Sequence, residues 1–412
     1  MRSTRGNYRR PARPQAPLPP LDPLRSLNEG LAETPVCLME VPSIETDAPA
    51  VKVTQLEYIG SYNWVDSSQP TIIVPGSPPH WKNIGPPFTV AHDQGVVYRD
   101  QNGFRMPQQT LLPLFTAVDV VQEEDGKDGL PWSSMDFVTD RNGLRKLLRW
   151  IEGTAGRDFR IDMQLAGKRT VLLNRWETHT REYASPSFGF NFEKKTTQYT
   201  SGCEQSTGHH RIVKYDFDGL KMVVRFEVDA CIPPPATKRD LSSASNVDDL
   251  IDSLANVNIK DDKSGDPSQT IAGGASPTLK IIHAGSEVPQ SNIVELGTRS
   301  ERNLETYSWI ETYPQLFLSQ TPHHFLGVHK NGRFSTIQKR KLGSPDLLHW
   351  EKRMEDNFKK LRKALEEIQK LVIEHGQRGR LTLVSVDGKL KVYERAEMDS
   401  CLSDDVIRRF EI

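Results

Sequence analysis

The sequence predicts a mixed α/β (α+β) domain, with a central twisted sheet flanked by helices. Three observations carry this. Short apolar or alternating runs recur in pairs joined by tight turns at Gly167-Lys168, Asp218-Gly219, Asn331-Gly332 and Asp387-Gly388. Two segments, 142–151 and 347–373, instead repeat their apolar residues at helical spacing. Strands and helices are mixed without regular βαβ alternation, and no internal repeat is visible.

The elements follow in order. Residues 51–62 and 71–74 read as strands, the latter ended by Pro75-Gly76 and Pro78-Pro79. In 142–151, Leu144, Leu147, Leu148 and Ile151 share one helix face. Segments 160–165 and 169–173 form one hairpin, and 212–217 and 220–230 a second. Residues 293–296 read as a strand, and 308–319 as the start of a helix. Segments 325–330 and 333–338 make a third hairpin. The longest helix is 347–373, striped by Trp350, Met354, Phe358, Leu361, Leu365, Ile368 and Val372. A hairpin over 381–386 and 389–393 closes the chain.

Two segments do not read as part of that domain. Residues 1–33 form an Arg/Pro-rich arm expected to be disordered, with order beginning near Thr34. Arg2, Arg5, Arg9, Arg10 and Arg13 suit RNA contact or a nuclear address, and a merely solvated tail is the plain alternative. This tilts the expected location toward the nucleus, with the cytoplasm as the alternative. Residues 233–277 open on three prolines and continue rich in Ser, Asp and Gly. They read as a disordered insertion in a single domain spanning 34–412.

Composition excludes several classes. The 412 residues carry a formal net charge of −1, so no global nucleic-acid footprint exists, although a local basic groove is compatible. Cys37, Cys203, Cys231 and Cys401 form no CxxC pair, which argues against a zinc site or disulfide framework. No apolar run is long enough for a bilayer, so no membrane partner is expected. His209-His210 and His323-His324 are adjacent pairs whose members point to opposite strand faces, and they read as structural or surface residues.

The chemistry lies in four carboxylates. Glu193 ends Phe188-Gly189-Phe190-Asn191-Phe192-Glu193, Glu227 and Asp229 flank Val228, and Glu295 follows Ile293-Val294. Each sits in a strand-like apolar run, where a charge is costly unless paired. A shared Mg²⁺ or Mn²⁺ is the simplest partner for several such groups. On a strand, Glu227 and Asp229 project together, and Glu295, Glu193 and the Leu296 carbonyl complete an oxygen shell. Two such ions suit hydrolysis at phosphorus. A lone Glu-x-Asp is usually a solvated strand face, so the weight rests on the set.

In that order the motifs resemble the DXO family of RNA 5′-end decapping nucleases, whose core is related to PD-(D/E)XK nucleases. Asp140-Arg141-Asn142-Gly143-Leu144 resembles the family's arginine segment. Gly189-Phe190-Asn191-Phe192-Glu193, Glu227-Val228-Asp229, Glu295-Leu296-Gly297 and Gln315-Leu316-Phe317-Leu318 resemble its later motifs, and Phe325-Leu326-Gly327-Val328 follows as the next strand. The similarity runs from about residue 137 to 393. Before it, Ser61-Tyr62-Asn63-Trp64 and Ile73-Val74-Pro75-Gly76 resemble a group of uncharacterised fungal proteins. The resemblance implies hydrolysis of triphosphate, incompletely methylated or NAD-capped RNA 5′ ends, with 5′–3′ exonuclease activity in some members. It gives catalytic roles to Glu193, Glu227, Asp229, Glu295 and Gln315, the last orienting water or phosphate. It assigns the metals to the four carboxylates with Leu296, and substrate phosphate to Arg141, whose planar fork suits it.

One departure stands out. Gly297 occupies the place of the family's lysine, whose charge faces the scissile phosphate. Three readings follow. Arg299, Lys280 or Arg225 substitutes for it; or the metals act alone, at a cost on the order of 10²–10³ in rate. Otherwise the chain is a non-catalytic protein that binds RNA ends or a partner 5′–3′ exoribonuclease.

Overall fold

The computed structural model describes residues 20–45, 47–153, 158–233, 268–271, 279–397 and 399–411. Most of the expected 233–277 insertion, the possible helix within it, and residues 1–19 of the arm lie outside the described residues. Residues 20–33, assigned to the arm from sequence, belong to the fold instead. The Arg25 amide donates to Thr178 O at 2.9 Å, Ala32 N donates to Glu394 O, and Arg160 donates to the carbonyls of Leu27 and Glu29.

Among the described residues the strands form a twelve-stranded sheet, a seven-stranded sheet and a two-stranded ribbon. The hairpins expected from the four turns are all present, and each X-Gly pair (Asp218-Gly219, Asn331-Gly332, Asp387-Gly388) takes positive φ at both residues. The larger sheet is mixed. Leu220–Val228 runs antiparallel to Ser206–Phe217 and parallel to Phe137–Asp140. The longest helix, Leu348–His375, and Arg141–Ile151 pack their apolar stripes into one core that includes Phe137, Ile161 and Val224.

A second core lies around Leu112–Glu124, a helix the sequence reading missed. Leu112, Leu114, Phe115, Ala117, Val118, Val120 and Val121 are all buried, so the segment is apolar nearly all round and shows no helical stripe. Gly60 admits this helix, since a Cβ there would meet the Ala117 backbone at 3.2 Å.

The seven-stranded sheet orders Ala230–Cys231, Ile293–Ser300, His323–Lys330 and Arg333–Lys341 side by side. Ile293–Ser300 and His323–Lys330 are parallel, so the chain must cross over between them, and the helix Trp309–Ser319 makes that crossover. The two sheets join covalently at Asp229, because Leu220–Val228 ends in the large sheet and Ala230–Cys231 begins in the small one. No helix among the described residues is long and apolar enough to cross a membrane.

Candidate active site

The sheet junction gathers the acidic residues. Glu227 is the penultimate residue of its strand, and Asp229 is the connecting residue itself, not a strand position as expected. The chain's change of sheet turns Asp229 toward Ile293–Ser300, where its carboxylate accepts the Leu296 N–H at 2.7 Å. Leu296 thus holds Asp229 through its amide, a contact beyond the carbonyl role expected from sequence. Glu193 corrects the sequence reading more fully. It sits on a helix, Gly189–Thr196, not on a strand.

That helix is short and depends on tertiary contacts. Asp93, buried in a distant loop, accepts from Asn191 N at 2.9 Å, Phe190 N at 3.3 Å and the Ser187 hydroxyl at 2.7 Å. A carboxylate at a helix N-terminus satisfies orphan amides and opposes the dipole. On the opposite side, Phe192 packs against Gly327, where a Cβ would lie 2.6 Å from its ring. With Trp81, Phe325 and Phe334, Phe192 forms the small sheet's own core. These contacts fix Glu193 one residue beyond Phe192.

Glu193, Glu227 and Asp229 line one cavity of about 470 Å³, with Phe190, Tyr199 and His209 also on its wall. Glu295 is not on this wall. Arg141 donates to its carboxylate at 2.9 Å, and the Gln315 amide, oriented by its neighbours, donates at 3.0 Å and accepts from Arg145 at 3.2 Å. The arginine and glutamine expected from sequence therefore converge on the expected glutamate, across elements far apart in the chain. A separate cavity, lined by Arg160 and Arg175 among others, shares none of these side chains, and those two arginines are spent on Asp162 and Glu177.

The electrostatics are those of crowded carboxylates. Burial pushes the Glu193 carboxyl up to about 8, helped by the charges of Glu227, Glu295 and Asp93. Burial also raises Asp229 well above the carboxylate range, with Glu295 and Glu193 adding to it against the Leu296 amide. Glu227 is exposed on the cavity wall, and the protein around it raises its carboxyl despite Arg141 and Arg175. Among the described residues, no lysine or arginine is a leading influence on Glu193 or Asp229. An all-oxygen donor set with surplus negative charge fits a hard divalent ion. Among the described residues no three acidic, histidine or cysteine side chains close on a single point.

Of the candidates for the missing lysine, both arginines are occupied elsewhere. Arg299 donates to Asn303 O at 2.9 Å and to Thr306 O and Oγ1 at 3.0 Å. Arg225 is fully buried and donates to both Asp140 oxygens at 2.6 and 2.9 Å, to Tyr62 and to Thr110 O. Lys280 pairs in register with Thr71 in the large sheet. The histidine pairs are mostly interior. His209, His210 and His324 are buried, and His209 Nδ1 bonds Asn63 Oδ1 at 2.7 Å, so His209 reaches the cavity wall as a neutral ring. Asn63 also donates to Ser77 O, tying together the Ser61–Trp64 and Ile73–Gly76 segments singled out by sequence.

A sequence profile decides the family. The profile described as Domain of unknown function (DUF8563) matches residues 36–410. The chain belongs to this family. Curated proteins yield no match. Solved structures do. Candida albicans Rai1 in complex with pU5-Mn²⁺ superposes with a TM-score of 0.54 at 12% identity, over 90% of this chain and 100% of that one. Scheffersomyces stipitis Rai1 in complex with (3′-NADP)⁺ and calcium ion gives 0.54 at 12% identity, over 92% and 96%. S. pombe Rai1 in complex with 3′-FADP gives 0.52 at 15% identity, over 87% and 99%. This DUF8563 member therefore has the Rai1 fold along nearly its whole length, as the resemblance to decapping nucleases implied.

Proposed function

We propose that the chain is a divalent-metal-dependent hydrolase of RNA 5′ ends, acting on triphosphate, incompletely methylated or NAD-capped termini. The observation that carries it is the carboxylate cluster at the sheet junction, where burial and the neighbouring carboxylates raise Glu193 and Asp229. Rai1 structures carrying pU5-Mn²⁺, 3′-FADP or (3′-NADP)⁺ share this fold, which supports the substrate class.

Glu193, Glu227, Asp229 and Glu295 would hold Mg²⁺ or Mn²⁺, with the Leu296 carbonyl as a further oxygen. One or two bound ions would supply Lewis-acid activation of water and stabilisation of the leaving oxygen. The chain's own groups do the rest. The Leu296 amide fixes one Asp229 oxygen, leaving the other for the cavity. Gln315 and Arg141 hold Glu295 from two sides, so its orientation is set before substrate arrives. Arg141 also lies near enough to Glu227 to act on its carboxyl, so a phosphate bound at these carboxylates would meet its guanidinium. Exposed Lys194 on the cavity rim adds attraction for the RNA backbone.

Gly297 favours a second reading, a non-catalytic protein that binds RNA ends or an exoribonuclease. With Arg299 and Arg225 engaged elsewhere, neither supplies the lost charge. Turnover decides between the two. Purified protein with Mn²⁺ is given triphosphate, unmethylated-cap and NAD-capped RNA, beside Glu227→Ala and Asp229→Ala. Release of a 5′ product by the wild type and not by the variants supports the hydrolase. Tight RNA binding with no release from any of the three ends supports the second reading.

A further inference from the structure

We propose that the Tyr307 hydroxyl, held by His324, is the hydrogen-bond donor that meets the substrate's 5′ phosphate where Gly297 provides no side chain. The inference rests on the placement of the phosphate in the carboxylate site. Gly297 lies two residues from Glu295 on the same strand, so both face the same side. A Cβ at Gly297 would meet Tyr307 Oη at 3.2 Å, His324 Nε2 at 3.4 Å and Leu326 Cδ1 at 3.4 Å. The space over Gly297 is therefore filled by a phenol rather than left open. Glycine is the residue that lets this hydroxyl approach the strand.

The hydrogen bonds around Tyr307 leave its own proton over. Its Oη lies 3.0 Å from His324 Nε2 and accepts from Thr312 Oγ1 at 3.2 Å. Thr312 also reaches Ser308 O, but that carbonyl already accepts the amides of Glu311 and Thr312. His324 is only 1% exposed, and its Nδ1 has no partner among the described residues. A buried orphan N–H is rarer than a buried orphan acceptor, which places the imidazole proton on Nε2, aimed at Tyr307. Tyr307 then accepts from His324, with the one Thr312 hydroxyl proton shared between Tyr307 Oη and Ser308 O, and has its own proton to give.

The loop that carries Tyr307 is braced for this. Arg299 clamps Asn303 O and Thr306, which brings the loop back over its own strand. Trp309 packs edge-on against both Tyr307 and His324, with the Arg340 guanidinium over its other surface at 5.1 Å. A fixed neutral donor of this kind stabilises charge developing on a phosphoryl oxygen, though with less force than an ammonium.

The test is Tyr307→Phe, which keeps the ring and removes the hydroxyl. Affinities for oligouridylate bearing a 5′ phosphate or a 5′ hydroxyl are measured with Ca²⁺ present, by fluorescence anisotropy. The wild type should prefer the phosphorylated oligomer. The variant should lose about tenfold or more of that preference, with binding of the hydroxyl form unchanged. His324→Gln, which keeps a donor, should retain the preference, and His324→Leu should lose it. Equal discrimination by wild type and Tyr307→Phe overturns the proposal, as does a wild type indifferent to the phosphate. Turnover with Mn²⁺ separates this from the hydrolase reading. An inert wild type that still discriminates through Tyr307 removes the hydrolase and leaves the contact. An active wild type whose Tyr307→Phe variant binds identically removes the contact and leaves the hydrolase.

Discussion

Glu193 offers the sharpest physical test of the site. Its carboxyl is raised from 4.5 to about 8 by burial and by three neighbouring carboxylates. Below its ordinary pKa it is protonated in both folded and unfolded chains and costs nothing. As pH rises, the unfolded chain ionises first and the folded state is penalised, until the folded carboxyl ionises near 8. At about 1.4 kcal/mol per unit, the metal-free protein should lose about 2 kcal/mol between about pH 6 and pH 8 from this group. For a chain of this size that is about 3 °C in Tm. Glu193→Gln removes the titration, so its melting curves in EDTA should show a shallower decline, with Asp229 leaving a residual slope. Saturating Mn²⁺ replaces the proton as counter-charge, and should stabilise the wild type more at about pH 8 than at pH 6. An unchanged slope in Glu193→Gln, or equal Mn²⁺ stabilisation at both pH values, would refute the electrostatic argument.

Two further outcomes follow from the packing. Arg225→Met strands Asp140 in the core without its bidentate partner, and should cost about 3–5 kcal/mol in chemical denaturation. Gly327→Ala forces Phe192 or Phe334 off Gly327 and displaces the helix bearing Glu193. It should weaken Mn²⁺ binding by roughly tenfold or more in calorimetric titration while the protein stays folded, and unchanged affinity would count against that helix as a metal-site element.

The strands were legible because their side chains alternate and their turns use residues that tolerate positive φ. The Asp218-Gly219 and Asn331-Gly332 hairpins fall where the pattern put them. So do Glu227 and Glu295, whose strands need only local information. Glu193 was misread because Phe188, Phe190 and Phe192 alternate like a strand, while the cap that makes the segment helical is Asp93, nearly a hundred residues earlier. The Tyr307–His324 contact was equally out of reach. Its partners come from the crossover loop and the next strand, and only the parallel register sets His324 beside Glu295. Arg299 looked like a replacement for the lysine from its i+2 spacing, but the same loop that lifts Tyr307 offers Arg299 carbonyl acceptors at closer range.

The central claim is that the junction carboxylates drive metal-dependent hydrolysis of an RNA 5′ end. Pyrophosphate release from 5′-triphosphate RNA in Mn²⁺, by wild type beside Glu227→Gln, tests it most directly. The account predicts release that requires the metal and falls on the order of 100-fold or more in the variant, with melting behaviour preserved. Equal release by both proteins, or release that persists in EDTA, would contradict it.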